Sequence, residues 1–315
     1  MRRSDLLAAL AGIRQATIGG RRAPHKPLLL LWLLGRYART GSSEAAYVEA
    51  EAPVSRLIND FGPAIKNPHA ASRRAAMPFV HLERSLWVLR NARGEPLESG
   101  IRDDSATLRR VGAIGRLHPQ VESLLGEDPT ALPAAVRLLL EHHFTASLEP
   151  AICDQAGLGL PNPLPTGDSG AVADPVYRLV KRKVRDSAFA EAVLRSYNYA
   201  CAMCGYDGTL GGRPVGLEAA HIRWHSQGGP DLVDNGLALC SLHHALFDFR
   251  ALGVTAKRTV RVSPVYAAET RSGRAVEQLH GAPVALPRQP LTSVAYDFLH
   301  WHDLQVFKHA PASAR

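Results

Sequence analysis

Hydrophobic positions in the first half of the chain recur every three or four residues, and this spacing predicts amphipathic helices. The first of them carries Leu6 and Leu10 on its apolar face. The run Leu28–Leu34 is apolar on every side, which predicts a buried helix that begins at Pro27 and ends at Thr40-Gly41. Pro53 predicts the start of a third helix, before Gly62-Pro63 stops it.

Two further patterns complete this half. Residues 79–89 alternate enough between apolar and polar side chains to predict a strand or hairpin, with Trp87 and Leu89 on one face. Apolar periodicity returns from about 131 to 144 and predicts a closing helix. We therefore expect residues 1–150 to form a mainly helical domain with a small sheet.

The second half has a different order of elements. Its pattern predicts a helix at 186–197, strands at 215–222 and 237–239, and a helix at 241–249. Between the halves, prolines and glycines alternate and apolar periodicity disappears, which predicts a linker over 151–176. The expected fold class is therefore α+β, with a second domain at 177–315.

Composition restricts the partners and the compartment. The net charge of +8 favours an acidic polymer, a property that DNA-binding, ribosomal and membrane-surface proteins share. Basic residues cluster from Arg178 to Arg185, where they can contact phosphates or form a solvated helix face. The sequence has no apolar run long enough to cross a membrane and no secretion-signal pattern at its start, so we expect a cytoplasmic protein.

The cysteines predict a metal centre rather than disulfides, which are rare in a reducing compartment. Cys201 and Cys204 are separated by two residues, and so are Cys240 and His243. Each pair has the spacing of zinc ligands, and together they supply the four that a closed tetrahedral site requires. A structural Zn²⁺ is therefore expected, and its binding would contribute to folding.

The residues around this predicted centre resemble the HNH, or ββα-metal, endonucleases. The resemblance rests on LEAAHI at 217–222, DNG at 234–236 and LCSLHH at 239–244. It implies that His221 is the general base that deprotonates water for attack on phosphorus, a task that suits imidazole near neutral pH. It also implies that Asn235 holds the loop and orients His221, and that His244 binds a catalytic divalent ion.

The chain departs from the HNH pattern at one position. Many relatives have an aspartate directly before the base as a second metal ligand, whereas this chain has Ala220. Glu218 is a candidate substitute, although strand alternation places it on the face opposite His221. His243 and His244 must face different metals, and their two roles can be exchanged. The implied catalytic ion is Mg²⁺, Mn²⁺ or a similar one, since an imidazole ligand weakens any strict demand for magnesium.

The first half resembles the sulfur-binding domain of phosphorothioate-dependent type IV restriction endonucleases. The stretches RRAPHKPLLLL at 21–31 and MPFVHL at 77–82, followed by Trp87, carry this resemblance. In that family the domain precedes an HNH domain, and it binds double-stranded DNA in which sulfur replaces a phosphate oxygen. The resemblance implies an apolar pocket wall at Met77, Pro78 and Phe79. The implied phosphate contacts are Arg21, Arg22, His25, Lys26 and Arg73 or Arg74.

Three functions follow from these patterns. The first is a restriction enzyme whose one domain binds phosphorothioated DNA while the other hydrolyses it. The second is an HNH nuclease directed to another modified base, such as methylcytosine. The third is a non-catalytic DNA-binding protein in which a zinc knuckle only organises the fold. Since one HNH site cuts one strand, double-strand cleavage needs two binding events or two subunits, and a homodimer is one arrangement.

Overall fold

The computed structural model describes residues 1–18, 21–63, 68–98, 100–158, 187–288 and 294–309. The chain divides into two compact units, Met1–Pro161 and Asn162–Ser313. The first unit is mainly helical, and the second combines helices with short hairpins. Within the described ranges, no helix is both long enough and apolar enough to cross a membrane.

The first unit contains eight helices among its described residues, together with short antiparallel strands. The strands are β1 (Thr17–Ile18), β2 (Arg21–Arg22), β3 (Ala45–Ala46), β4 (Trp87–Arg90) and β5 (Ile114–Leu117), and the order β3-β5-β4 forms one sheet. The helices are α1 (Arg3–Ala11), α2 (His25–Thr40), α3 (Tyr47–Phe61), α4 (Ala76–His81), α5 (Ser105–Arg110), α6 (Pro119–Glu127), α7 (Ala131–His143) and α8 (Glu149–Ala156).

Helix α2 lies at the centre of the first unit. Every residue from Leu28 to Leu34 is buried, because α3, α4, α7 and α8 surround the helix. This burial confirms the prediction from the run of apolar residues. Gly41 ends the helix in the left-handed region, at φ 72°, as predicted. At Gly35 a Cβ would lie 2.0 Å from the carbonyl oxygen of Ala156, so glycine permits the close packing of α2 on α8.

Aromatic side chains join α3, α4 and β4. The ring of Phe79 packs edge-on against Tyr47 at 5.2 Å and against Trp87 at 5.1 Å. The indole nitrogen of Trp87 donates to the carbonyl oxygen of Phe79 at 2.9 Å. Gly115 on β5 lies beneath the same indole, where a Cβ would be 2.0 Å from a ring carbon. These contacts attach the small sheet to the helices.

Three sequence predictions for this unit differ from the structure. Residues 79–81 belong to helix α4, and the strand begins only at Trp87. Pro78 is in the first turn of α4, where a proline nitrogen needs no hydrogen-bond partner. Helix α3 begins at Tyr47, so Pro53 lies within it instead of at its start. Helix α8 extends the first unit beyond residue 150, and residues 159–176 of the predicted linker lie outside the described residues.

The second unit has a hairpin and a helix at its centre. Strands β8 (Leu217–His221) and β9 (Gly236–Cys240) are antiparallel, with Leu217 opposite Cys240 and His221 opposite Gly236. The following helix is α10 (Ser241–Asp248), which confirms the predicted strand, loop, strand and helix order. The other elements are α9 (Ser187–Ser196), β6 (Thr209–Leu210), β7 (Arg213–Pro214), β10 (Leu252–Val254), β11 (Val260–Val262), α11 (Arg271–Glu277) and α12 (Tyr296–Gln305).

Helices α9 and α10 both pack against the β8-β9 hairpin. Gly236 is in contact with α9, and a Cβ at this glycine would lie 2.4 Å from the Val193 side chain. The C-terminal helix α12 adds apolar cover, since His302 is buried and stacks on Phe247 at 3.7 Å. Trp301 is buried beside Trp224, so Trp301 and His302 both contribute to packing.

Candidate functional site

The four predicted zinc ligands lie together at one end of the β8-β9 hairpin. One ligand atom from each of Cys201, Cys204, Cys240 and His243 falls within 4.8 Å of all the others. His243 Nδ1 is 3.5 Å from Cys201 Sγ and 3.2 Å from Cys240 Sγ. Ligand atoms around a tetrahedral zinc are about 3.6 Å apart, as follows from its usual bond lengths. The geometry therefore suits one ion with four protein ligands.

The electrostatics of this cluster also favour a cation. Burial opposes ionisation of Cys201, but hydrogen bonds from His243 and from the backbone outweigh it and lower the pKa of the thiol to about 6. Burial and the neighbouring Cys201 raise the pKa of Cys204 to about 12, and burial also raises the pKa of Cys240. Without a cation, further thiolates are disfavoured beside the first, whereas a divalent ion reverses that preference.

His221 is the last residue of β8 and is held on two sides. Its Nε2 lies 2.8 Å from Oδ1 of Asp231. Its ring stacks on Phe189 of α9, with centroids 4.1 Å apart and an interplanar angle of 16°. The side chain is 20% exposed, so the imidazole is fixed in orientation yet open to solvent.

Asn235 holds the loop between the two strands. Its side-chain nitrogen donates to the carbonyl oxygens of Arg223 at 3.1 Å and Pro230 at 2.9 Å. Its side-chain oxygen accepts from the Arg223 nitrogen at 2.9 Å. Asn235 is fully buried, so its side chain has no contact with solvent. An amide suits this position because it both donates and accepts.

His244 is buried between two carboxylates on α10 and β8. Its Nδ1 lies 2.6 Å from Glu218 Oε2, and its Nε2 lies 3.2 Å from Asp248 Oδ2. Asp248 also accepts a hydrogen bond from the indole nitrogen of Trp224 at 2.9 Å. Burial opposes protonation of His244, but the bonds to Asp248 and Glu218 outweigh it and raise its pKa to about 9.

The structure separates the two adjacent histidines by their partners. His243 faces the cysteines, whereas His244 faces the carboxylates. Glu218 lies on the face of β8 opposite His221, as strand alternation predicts, and it contacts His244 directly. Among the described residues, only one group of three or more histidine, cysteine, aspartate or glutamate side chains has ligand atoms that converge on one point. It consists of Cys201, Cys204, Cys240 and His243.

The predicted phosphate contacts in the first unit have mixed surroundings. His25 is buried at the start of α2, with Nε2 3.1 Å from Nη2 of Arg74. Lys26 forms an ion pair of 2.6 Å with Glu83, so its charge is already balanced. Arg22 and Arg73 are exposed. Arg21 belongs to β2, and its side chain lies outside the described part of the structure.

The three residues predicted to form a pocket wall lie on α4, which packs against α2. Met77 is half-buried and Pro78 is buried. Phe79 has no exposed surface and belongs to the aromatic core, so its ring cannot touch DNA in this conformation. The prediction that Phe79 forms part of the pocket wall is therefore corrected: its ring packs inside the domain and supports α4.

Sequence reasoning missed three carboxylates next to the predicted residues. Asp248 follows His244 by four positions, and that helical spacing gives a signal that both lie on one face. Asp231 follows a Gly-Gly-Pro loop, and Glu83 is far from Lys26 in sequence. The last two contacts depend on how loops fold, and no spacing rule indicates them.

Known protein families match both halves of the chain. Residues 3–160 match the family described as "ScoMcrA-like, DNA sulfur-binding domain". Residues 201–255 match the family described as "HNH endonuclease". No curated protein matches the chain.

Solved structures also resemble parts of the chain. One is the sulfur-binding domain of SprMcrA complexed with phosphorothioated DNA, at 23% identity over 50% of this chain and 95% of that one, with a TM-score of 0.41. Another is the type IV phosphorothioation-dependent restriction endonuclease ScoMcrA, at 17% identity over 76% and 93%, with a TM-score of 0.36. The modification-dependent TagI restriction endonuclease matches at 25% identity over 42% of each chain, with a TM-score of 0.31.

Proposed function

The chain belongs to the family of proteins with a ScoMcrA-like DNA sulfur-binding domain, and we propose that it is a restriction endonuclease that binds phosphorothioated double-stranded DNA and cuts it nearby. The observation that carries the proposal is the presence of a sulfur-binding match and an HNH match in one chain. Modification-dependent restriction needs both recognition and hydrolysis. Each unit would supply one of them.

Recognition in the first unit would depend on the difference between sulfur and oxygen. A sulfur in place of a non-bridging phosphate oxygen is larger, more polarizable and less well hydrated, so burying it against apolar atoms costs less. An ordinary phosphate oxygen would lose its water without a hydrogen bond in return. Met77 and Pro78 on α4 are our candidates for the apolar contact. The candidates for the neighbouring phosphates are Arg21, Arg22, His25, Lys26, Arg73 and Arg74.

The first unit would bind through groups that already have partners. Lys26 must leave or share Glu83 to contact a phosphate, and Arg74 must leave or share His25. Arg73 is exposed, so it can bind phosphate without giving up a described ion pair. Affinity should therefore depend more on Arg73 than on Lys26.

Hydrolysis in the second unit would use His221 as the general base. Its imidazole takes a proton from a water molecule, and the water oxygen forms a bond to phosphorus. The bond between phosphorus and the leaving oxygen then breaks, and that oxygen takes a proton from solvent. Asn235 would hold the Arg223–Pro230 loop in place during this step.

We assign the catalytic divalent ion to His244 and Glu218. Glu218 is 43% exposed in its side chain, so the Nδ1 side of His244 is the side that solvent and phosphate can reach. Asp248 would hold the other ring nitrogen, as carboxylates commonly do for metal-bound histidines. When bound, the ion would stabilise charge that develops on the phosphate and on the leaving oxygen. The Cys201, Cys204, Cys240 and His243 set would hold a separate structural zinc.

Cleavage of matched duplexes tests the proposal. The zinc-loaded full chain, supplied with Mg²⁺ or Mn²⁺, should cut a duplex that contains one phosphorothioate at least about tenfold faster than the same duplex without sulfur, a difference of about 1.4 kcal/mol. A third duplex carries methylcytosine instead. Equal cutting of all three duplexes would contradict sulfur recognition, and preferential cutting of the methylated one would identify a different target. Failure to cut any of them, with or without added ion, would contradict the nuclease assignment.

A further inference from the structure

Asp231 lies beside the proposed general base and outside the stretches 217–222, 234–236 and 239–244 that carry the HNH resemblance. Its Oδ1 lies 2.8 Å from His221 Nε2, a distance typical of a strong hydrogen bond to a carboxylate. The Asp231 side chain is 34% exposed and His221 is 20% exposed. The pair therefore lies at the surface of the second unit, where a substrate can reach it.

The backbone beside Asp231 is fixed without any help from His221. The carbonyl oxygen of Pro230, one residue earlier, accepts from the buried side chain of Asn235 at 2.9 Å. On the other side of Asp231, the carbonyl oxygen of Leu232 accepts a hydrogen bond from the backbone nitrogen of Asn235 at 2.9 Å. Asn235 thus holds the chain on both sides of Asp231, and the carboxylate is presented to His221 from a fixed position.

His221 is constrained in two independent directions. Stacking on Phe189, at 4.1 Å between centroids, fixes the plane of the ring. The bond to Asp231 fixes which edge of that plane faces the loop. A ring held by a stack alone can still turn over about the Cβ–Cγ bond, which exchanges the positions of Nε2 and Cε1 and those of Nδ1 and Cδ2. The contact with Asp231 favours the orientation that places Nε2 beside the carboxylate.

We infer that Asp231 is a positioning residue for His221, an inference that rests on the proposed nuclease function. An aspartate carboxylate accepts hydrogen bonds, so it favours the tautomer that carries the proton on Nε2. The basic lone pair is then on Nδ1, which takes the proton from water in the hydrolysis step. The imidazolium that results keeps its Nε2 proton bonded to Asp231, and the negative carboxylate stabilises it. Asp231 itself neither gains nor loses a proton.

Two variants of the full chain separate a positioning role from a merely structural one. Asp231→Ala removes the acceptor, whereas Asp231→Glu keeps the carboxylate on a longer side chain. Asp207→Ala is the matched control, because Asp207 is an exposed aspartate of the same unit. Each variant is first compared with wild type for zinc content and thermal unfolding, so that loss of folding is recognised.

Single-turnover cleavage of a saturating phosphorothioated duplex gives the first readout. Asp231→Ala should cut about 10- to 100-fold more slowly, by analogy with the loss of a carboxylate that orients a metal-bound histidine. Its affinity for the duplex should not change. Asp231→Glu should recover part of the rate, and Asp207→Ala should match wild type. A folded Asp231→Ala variant that cuts at the wild-type rate would overturn the inference.

Nitrogen-15 NMR of the His221 ring gives a second readout that needs no cleavage. His221→Ala identifies the signals, and wild type should show the Nε2-protonated tautomer in excess. Asp231→Ala should move the populations toward an even mixture, and an unchanged tautomer would contradict the inference. If wild type cuts no duplex while the tautomer still responds to Asp231, the proposed nuclease function fails and the contact between the two residues stands.

Discussion

Chemically identical side chains in this protein differ in behaviour because their neighbours differ. His243 faces cysteine sulfurs, His244 lies between two carboxylates, and His221 has one carboxylate and an aromatic face. A fourth histidine, His143 on α7, is buried, and its pKa is lowered to about 4 by burial and by the nearby His142 and Arg22. Surroundings of this kind decide whether an imidazole binds a metal, transfers a proton or only packs.

The lowered pKa of His143 predicts that the folded first unit loses stability in acid. The unfolded chain binds a proton to this residue below about pH 6.5, whereas the folded chain resists protonation until about pH 4. The unfolded state therefore binds more protons in this window, and the free energy of unfolding falls as the pH falls through it. The effect is at most about 3 kcal/mol between the two limits.

Hydrogen exchange of the α7 amides, corrected for its intrinsic pH dependence, measures this effect. In wild type the free energy of opening should decrease from pH 6.5 to pH 4, and in His143→Leu this decrease should be smaller. His142→Leu is the control, because His142 is exposed on the same helix and its replacement should leave most of the slope. Equal slopes in wild type and His143→Leu would contradict the prediction.

At the scale of elements, we predict that the second unit depends on the cysteine cluster to join its parts. Cys201 precedes the hairpin, Cys240 ends β9, and His243 lies in the first turn of α10. A bound zinc would connect these elements, and in small modules its binding free energy of about 10–16 kcal/mol is part of the free energy of folding. We therefore expect the core of this unit to need the metal as well as its apolar contacts.

Cys201→Ser should therefore lower the zinc content and abolish the cooperative unfolding transition of the second unit. The first unit should still unfold at its usual temperature, and a strong chelator should reproduce the effect in wild type. Cys153→Ala is the matched control, since it removes a thiol from α8 and should leave the second transition unchanged. A Cys201→Ser variant with normal zinc content and normal melting of both units would contradict the role of the cluster.

The sequence predicted those elements whose signals are local. The zinc ligand spacing, the β8, β9 and α10 order and the buried helix α2 all depend on residues close together in the chain. Helix α4 was missed because alternation after Pro78 resembles a strand, while the burial of Phe79 depends on Tyr47 and Trp87. The Asp231 contact was missed because it depends on a loop that Asn235 holds.

At the scale of the whole molecule, the chain combines a DNA sulfur-binding family match with an HNH endonuclease match. The first unit holds the candidate sulfur contacts on α4, and the second holds His221, His244 and the cysteine cluster. The net charge of +8 suits a polyanionic partner. A homodimer stays a prediction, and so does the position of the cut.

The central claim is that binding and cutting belong to different residues of one chain. The most direct test measures both activities of His221→Ala on one phosphorothioated duplex, with His225→Ala as control, because His225 is the imidazole beside His221 at 6.1 Å. We predict that His221→Ala binds the duplex as tightly as wild type but cuts it about 10²- to 10⁴-fold more slowly. The control variant His225→Ala should bind and cut the duplex as wild type does. If His221→Ala cuts the duplex at the wild-type rate, the assignment of His221 as the general base is contradicted.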